Sequence, residues 1–199
     1  MARPSNSTSR QAEIVQALQT VMARHGYEKA TIQMIAAEAG LAPGLLHYHF
    51  KRKQDILMAL VATLADAGQQ RFAHLASGVT DPALRLRAYI DARLALGAGG
   101  APDIVAAWVM IGAQAVRDTE VREAYQRAVA AELALVTGLL EQVHADAVRL
   151  APGLLAIIEG AYQLACAAGH VMPAGYAAEA AWRYVQMPLC NKNNSSGQS

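Results

Sequence analysis

Apolar residues recur along most of the chain with the spacing of α-helices that each bury one face. In the first segment, positions i, i+3, i+4, i+7 and i+8 of this pattern are Ile14, Ala17, Leu18, Val21 and Met22. Ser9 is a candidate N-cap for this helix, and Gly26 is a candidate stop. No segment alternates apolar and polar residues as a strand does, and no internal repeat is visible. The pattern therefore predicts an all-α protein.

Two short helices are predicted next, joined by the turn Gly40-Leu41-Ala42. Thr31 is the natural N-cap of the first helix, and Pro43 is a favoured first residue for the second, which runs to about Phe50. Two short helices joined by such a glycine-containing turn form a helix-turn-helix, whose second helix enters the major groove of DNA. An ordinary helical hairpin has the same spacing, so the spacing alone leaves both interpretations open.

Six longer helices are predicted after these two. They cover about 53–75, 81–96, 103–117, 119–145, 152–168 and 176–187. Asp81 followed by Pro82 marks a clear helix start. The segment 152–168 is apolar nearly all round, so other elements must cover it on several sides. The tail 191–199 is polar and is predicted to be disordered.

Charged residues are unevenly distributed, although the formal net charge is only +1. Residues 1–53 hold seven Lys or Arg and three Asp or Glu, a balance of +4, whereas residues 54–199 hold ten and thirteen, a balance of −3. A basic head on an acidic body indicates that the head is the part that meets a polyanion. Hydrophobic residues make up 54% of the chain, which is enough for a sizeable core in the body.

Other features of the sequence point away from secretion, membranes and enzymatic chemistry. Cys166 and Cys190 are too few for a disulfide framework, and the polar N-terminus lacks a signal core. The longest apolar stretch, 104–112, is shorter than the ~20 residues of a membrane span. His47 and His49 do not share a helical face, and no nucleotide-binding, hydrolase or metalloprotease motif is present. We therefore expect a cytoplasmic protein without membrane contact, cofactor, metal or enzymatic activity.

The segment 33–54 reads QMIAAEAGLAPGLLHYHFKRKQ and closely resembles the DNA-binding domain of TetR-family regulators. The matching elements, within about residues 10–60, are Thr31, Ile35-Ala36, Ala39-Gly40, Gly44, Tyr48-His49-Phe50, Lys53 and Leu57. Two later segments, 108–125 and 159–162, are similar to the ligand domain of the BetI-like subgroup. The resemblance implies a homodimer on a palindromic operator, acting as a repressor that a small-molecule inducer releases. An activator or a ligand-independent regulator of the same fold is the alternative.

The exposed positions of the matched segment are assigned to DNA contacts. Phosphate contacts are expected from Thr31, Tyr48, His49 and Lys53, and base contacts from Gln33, Ala42, Pro43, Gly44, Leu45 and His47. The family often has Ser or Thr at position 42, Lys or Arg at 43 and Thr at 45, so few polar base readers remain here. Sequence readout is therefore expected to use DNA shape, or Arg3 and Arg10 in a minor groove, unless the N-terminal arm is merely mobile.

Residues 1–52 are expected to form the DNA-binding head, and residues 53–190 the body that binds a ligand and dimerises. Candidate residues of an apolar pocket, each of which could instead be core, are Phe72, Arg93, Trp108, Gln114, Tyr125 and Tyr162. The helices 119–145 and 152–168 carry more apolar surface than one domain covers, and they contain the small residues Gly160, Ala161, Ala165 and Ala168. We expect them to meet a second copy, and we expect helix 53–75 to carry the signal between head and body.

Overall fold

The computed structural model of the chain describes residues 6–95 and 102–186. Arg3, Cys190 and the predicted tail 191–199 lie outside these residues. Within them the chain forms nine helices and no strand: α1 (Asn6–His25), α2 (Ile32–Glu38), α3 (Pro43–His49), α4 (Lys53–Leu75), α5 (Pro82–Leu94), α6 (Pro102–Ala115), α7 (Thr119–Glu141), α8 (Ala147–Ala168) and α9 (Tyr176–Gln186). The prediction of an all-α fold is confirmed.

Local chemistry of the sequence determines where the two short helices begin and end. The Thr31 hydroxyl accepts a hydrogen bond from the Met34 N–H at 3.2 Å, as an N-cap does. Gly40 has a φ of +66°, a left-handed backbone conformation that favours glycine, and Pro43 is the first residue of α3. Both short helices pack against α1. The described head is therefore a three-helix unit with the predicted helix-turn-helix.

Helix α8 begins at Ala147, so the prediction that this helix starts at residue 152 is wrong. Its buried stripe starts before Pro152 and continues past it, through Ala147, Leu150, Ala151, Leu154, Ile158 and Ala161. Proline has no backbone N–H and therefore costs one hydrogen bond inside a helix. Burial of the first turn offsets this loss, and Pro152 lies within the helix with its own side chain exposed.

The described helices enclose two hydrophobic cores. The first joins α1, α2 and α3 to the first half of α4, to α6 and to the beginning of α7, through buried residues such as Leu46, Leu57, Ile111 and Val121. The second joins the end of α4 to α5, the end of α7, α8 and α9, through residues such as Phe72, Ile90, Leu140 and Leu154. The core of the head thus continues into α6 and α7, and both α4 and α7 belong to the two cores.

Candidate DNA-binding surface and ligand cavity

Helix α3 turns one side toward the first core and the opposite side outward. Leu46 is fully buried, whereas Leu45 and Tyr48 are 44% and 73% exposed. The remaining residues assigned to base contacts, together with Thr31, are exposed too: Gln33, Ala42, Pro43, Gly44 and His47. His49 is half-buried and lies edge-on to the Tyr48 ring, with 5.2 Å between the ring centroids. The outward side is accessible to DNA, and its individual contacts stay predictions.

Lys53 is directed toward the protein, which the sequence did not indicate. Its Nζ donates to the backbone carbonyls of Tyr27 at 2.8 Å and Ala30 at 2.9 Å, and the Glu28 carbonyl lies 3.5 Å away. The ammonium also lies 4.2 Å from the centroid of the Tyr27 ring, and burial lowers the pKa of Lys53. Lys53 therefore ties the loop between α1 and α2 to the start of α4. A phosphate contact of Lys53 stays a prediction, and it would require these bonds to break.

Two polar contacts join the beginning of α4 to the beginning of α7. The two terminal nitrogens of Arg52 donate to the Glu120 carboxylate at 2.9 and 3.1 Å, and one of them also donates to Asp55. The Gln54 amide donates to both carboxylate oxygens of Asp118, at 2.8 and 2.9 Å, while Asp118 also caps α7. We call these two contacts, Arg52 with Glu120 and Gln54 with Asp118, the α4–α7 contact. It holds the residues that follow the recognition helix against the body.

A cavity of about 290 Å³ lies between the two cores. Its lining comes from α4, α5, α6, α7 and α8, and α9 adds no described lining residue. Most of the lining is apolar, and the larger polar side chains are Arg71, Arg93, Trp108, Glu132, Glu159 and Tyr162. An apolar cavity with a few polar groups is typical of a small-molecule site.

Three of the predicted pocket residues line the cavity: Arg93, Trp108 and Tyr162. Tyr125 lies behind the lining, with its ring centroid 4.9 Å from that of Trp108. Phe72 packs into the second core and does not line the cavity. Gln114 does not line it either, because it lies six residues after Trp108 and, at 3.6 residues per turn, on another face of α6. Gln114 is therefore no longer a candidate polar anchor.

The charge of Arg93 is neutralised inside the protein. Arg93 is only 7% exposed, and its guanidinium donates to both oxygens of Glu132, from Nε at 2.6 Å and from Nη2 at 2.8 Å. The Tyr89 hydroxyl donates to the same carboxylate at 2.5 Å. Gly68 makes room for the guanidinium, since a Cβ at that position would lie 2.7 Å from Arg93 Nη1. The sequence pattern singled out Arg93 but missed its partner Glu132, which is far away along the chain.

Glu159 is the second carboxylate of the cavity, and it has no such countercharge. It accepts hydrogen bonds from Trp108 Nε1 at 3.0 Å and from the Tyr125 hydroxyl at 3.2 Å. No described Lys or Arg forms an ion pair with it, and burial raises its pKa. Sequence reasoning missed Glu159, although a signal existed: Arg149 and Glu159 are the two charged residues of the otherwise apolar α8. The cavity therefore contains a carboxylate without a positive partner among residues 6–95 and 102–186.

The outer face of α8 is apolar and exposed. The exposed residues of this face are mainly small or apolar, among them Val148, Ala156, Gly160, Leu164 and Ala167. By length and composition alone, α8 could cross a membrane, a criterion that the core helix of a soluble protein also meets. Of the residues expected at a dimer contact, Gly160 is exposed, Ala165 and Ala168 are half-buried, and Ala161 belongs to the second core.

Sequence comparison matches both parts of the chain to one family. Residues 14–60 match the family described as bacterial regulatory proteins, tetR family, and residues 82–189 match the C-terminal domain of BetI-type transcriptional repressors. The HTH-type transcriptional regulator BetI of Rhizobium meliloti (strain 1021) is 32% identical over 77% of this chain and 76% of its own length. The BetI regulator of Agrobacterium fabrum is 32% identical over 77% of this chain and 74% of its own length.

Solved structures share the fold at lower identity. A TetR transcription regulator from Haloarcula marismortui superimposes with a TM-score of 0.79 at 24% identity, covering 89% of this chain and 97% of the other. A transcriptional regulator from Saccharomonospora viridis, solved in complex with choline, gives a TM-score of 0.73 at 20% identity and covers 89% and 94% of the two chains. The chain belongs to the TetR family of bacterial regulatory proteins, which are DNA-binding transcriptional regulators and not enzymes.

Proposed function

We propose that the protein is a repressor that binds a palindromic operator as a homodimer and leaves it when a small organic cation enters the cavity. The observation that carries this proposal is the half-buried carboxylate of Glu159, which lies beside Trp108 and has no described positive partner. Regulators of this family bind DNA operators and typically act as dimers. A regulator without an effector would share the fold but would not need such a carboxylate in a cavity, whereas an activator would differ in not leaving the operator when the ligand binds.

Glu159 favours a cationic over a neutral effector, although Arg71 also lines the cavity and donates to the Ala95 carbonyl at 3.2 Å. A buried carboxylate is costly to leave unpaired, so a positive ligand gains more there than a neutral one of the same shape. The indole of Trp108 adds an aromatic surface, which attracts organic ammonium groups. The volume of about 290 Å³ is at the lower end for ligand sites, which favours a small molecule. The choline complex of the Saccharomonospora viridis regulator supports this class of ligand.

The position of the cavity suggests how a ligand would affect DNA binding. Leu64, Ala65 and Gly68 of α4 line it, and the same helix begins just after the helix-turn-helix. A ligand changes DNA affinity only if it binds the two conformations with different affinity. A shift of α4 would change the distance between the two recognition helices of a dimer. Because DNA requires a spacing of about one helical turn, ~34–36 Å, a small shift is enough to weaken operator binding.

Selection from random duplex DNA should enrich a two-fold symmetric motif with half-sites about one helical turn apart. His47→Ala is expected to change the preferred bases, because this side chain is exposed on the outward side of α3. Tyr48→Ala is expected to weaken specific and non-specific binding alike, because a phosphate contact carries no sequence information. High-throughput sequencing of the bound fraction measures both effects. A selection without an enriched motif would contradict base readout by α3.

Glu159→Gln is expected to weaken binding of choline by about 10- to 100-fold, because it removes the negative charge that attracts the quaternary ammonium, and a close pair of opposite charges contributes about 1.5 kcal/mol or more. Calorimetric titration with choline and with its neutral isostere 3,3-dimethylbutanol provides the comparison. The wild type should prefer the cation, and the variant should bind both weakly. Glu141→Gln, which removes an exposed carboxylate at the end of α7, is the matched control.

The same titration should depend on pH in one direction. Burial raises the pKa of Glu159, so its carboxylate becomes protonated at a higher pH than an exposed glutamate does. Cation affinity is therefore expected to fall as the pH is lowered through that raised pKa, and Glu159→Gln should remove this dependence. Equal affinity for choline and its isostere in the wild type would refute a cationic effector.

A further inference from the structure

We propose that Glu120 inhibits DNA binding by holding Arg52 in the α4–α7 contact, and that Arg52 leaves Glu120 for a DNA phosphate when the head docks. The inference rests on the proposed placement of α3 in the major groove and does not depend on the effector. Arg52 and Gln54 thereby act as positioning residues for the recognition helix. In the DNA-free protein the guanidinium is bound to both Asp55 and Glu120, and in the complex it exchanges Glu120 for the operator backbone.

The position of Arg52 in the fold supports a role in DNA binding. It lies three residues after the end of α3 and is the N-cap residue of α4. N-caps are usually Ser, Thr, Asp or Asn, and the Arg52 side chain makes no capping bond to the backbone of α4. Its side chain is instead 52% exposed and directed to carboxylates. A guanidinium at this site, next to the recognition helix, is well suited to a bidentate phosphate contact.

The partner of Arg52 explains why the contact inhibits DNA binding. Glu120 comes from α7, is 50% exposed, and holds Arg52 through two hydrogen bonds of 2.9 and 3.1 Å. A carboxylate beside the groove-facing head repels phosphates and occupies the cation that would bind them. Lys53, the neighbouring cation, donates to backbone carbonyls and so does not replace Arg52 without losing those bonds. Arg52 must therefore give up Glu120 when it binds a phosphate, while Asp55 continues to accept hydrogen bonds from the Arg52 Nε at 3.1 Å and Nη2 at 2.7 Å.

The Gln54–Asp118 half of the contact keeps the two helix ends together during this exchange. The amide donates to both oxygens of Asp118, which is tied to α7 by its capping bond to the Val121 N–H at 3.0 Å. The Gln54 side chain is a neutral amide, so a DNA phosphate does not compete with Asp118 for it. The ion pair can open while the hydrogen bond preserves the alignment of α4 with α7.

The experiment measures affinity for a 24-base-pair duplex of mixed sequence by fluorescence anisotropy at low salt. Glu120→Ala is expected to bind about two- to fivefold more tightly than the wild type, which is the range set by breaking one exposed ion pair. Glu123→Ala removes an exposed carboxylate from the same helix and should leave the affinity nearly unchanged. In an Arg52→Ala background the gain from Glu120→Ala should disappear, because no guanidinium remains to be released.

A purely structural role of the ion pair predicts a different outcome. If the ion pair were only structural, Glu120→Ala would lower the thermal stability of the DNA-free protein and would also weaken DNA binding. The proposal predicts a small loss of thermal stability together with tighter DNA binding. If Tyr48→Ala weakens binding but Glu120→Ala does not strengthen it, the inhibitory role of Glu120 is wrong. If neither variant changes the affinity, the placement of α3 on DNA is wrong, and the inference fails with it.

Discussion

Glu132→Leu is expected to lower the free energy of unfolding by about 3–5 kcal/mol, the usual cost of breaking a buried ion pair from one side. The variant leaves the Arg93 guanidinium, 7% exposed, without its carboxylate. It also removes the acceptor of the Tyr89 hydroxyl, which is buried in the second core. Urea denaturation followed by far-UV circular dichroism measures the change.

The double variant Arg93→Met/Glu132→Leu separates the loss of the pair from the loss of packing. Replacing both partners by apolar residues of similar volume removes the uncompensated charge and should recover most of the stability. Glu179→Ala is the matched surface control, because it breaks an exposed pair with Arg183 at 2.7 Å and should change stability little. If Glu132→Leu were as stable as Glu179→Ala, the pair of Arg93 with Glu132 would not stabilise the fold.

Gly160→Glu is expected to raise the dimer dissociation constant by about 100-fold or more. Gly160 lies on the exposed outer face of α8, and no atom lies within 4 Å of a Cβ built there, so the protomer itself can accept a side chain. Against a second copy, the substitution would bury an unpaired charge from each protomer at a cost of several kcal/mol. Sedimentation equilibrium measures the dissociation constant.

Ala83→Glu is the control for this variant, since Ala83 is exposed on α5, outside the two helices that are expected to meet a second copy. Ala161→Glu is unsuitable, because Ala161 is 4% exposed and belongs to the second core, so its loss of function would reflect unfolding. A wild type that sediments as a monomer at micromolar concentration, or a Gly160→Glu protein that remains dimeric, would contradict a dimer through α8.

The helix-turn-helix was predictable because its signals are local. Thr31 caps a helix whose first residue follows it, Gly40 supplies the left-handed turn, and Pro43 starts the next helix. Ile35 and Leu46, which fall on the inward sides of α2 and α3, are fully buried. Each of these features depends on residues fewer than five positions apart, and a single sequence displays them directly.

The cavity and the contacts between head and body could not be predicted in the same way. Glu132 bonds to Arg93 across 39 residues, and Glu159 bonds to Trp108 across 51. Arg52 and Glu120 are separated by 68 residues. A lysine such as Lys53 is normally expected at the surface, and the three carbonyls it meets belong to a loop more than 20 residues earlier. Periodicity describes one helix at a time and contains no information on which helices meet.

The sharing of α4 and α7 between the two cores has a thermodynamic consequence. Removing the head would expose the faces of α6 and α7 that complete the first core, so we expect the melting of the head to be coupled to that of the body. Trp108 packs against the first core and Trp182 against the second. The protein thus contains a natural fluorophore in each half of one cooperative unit, and the emission of Trp108 reports on the integrity of a DNA-binding head that itself contains no tryptophan.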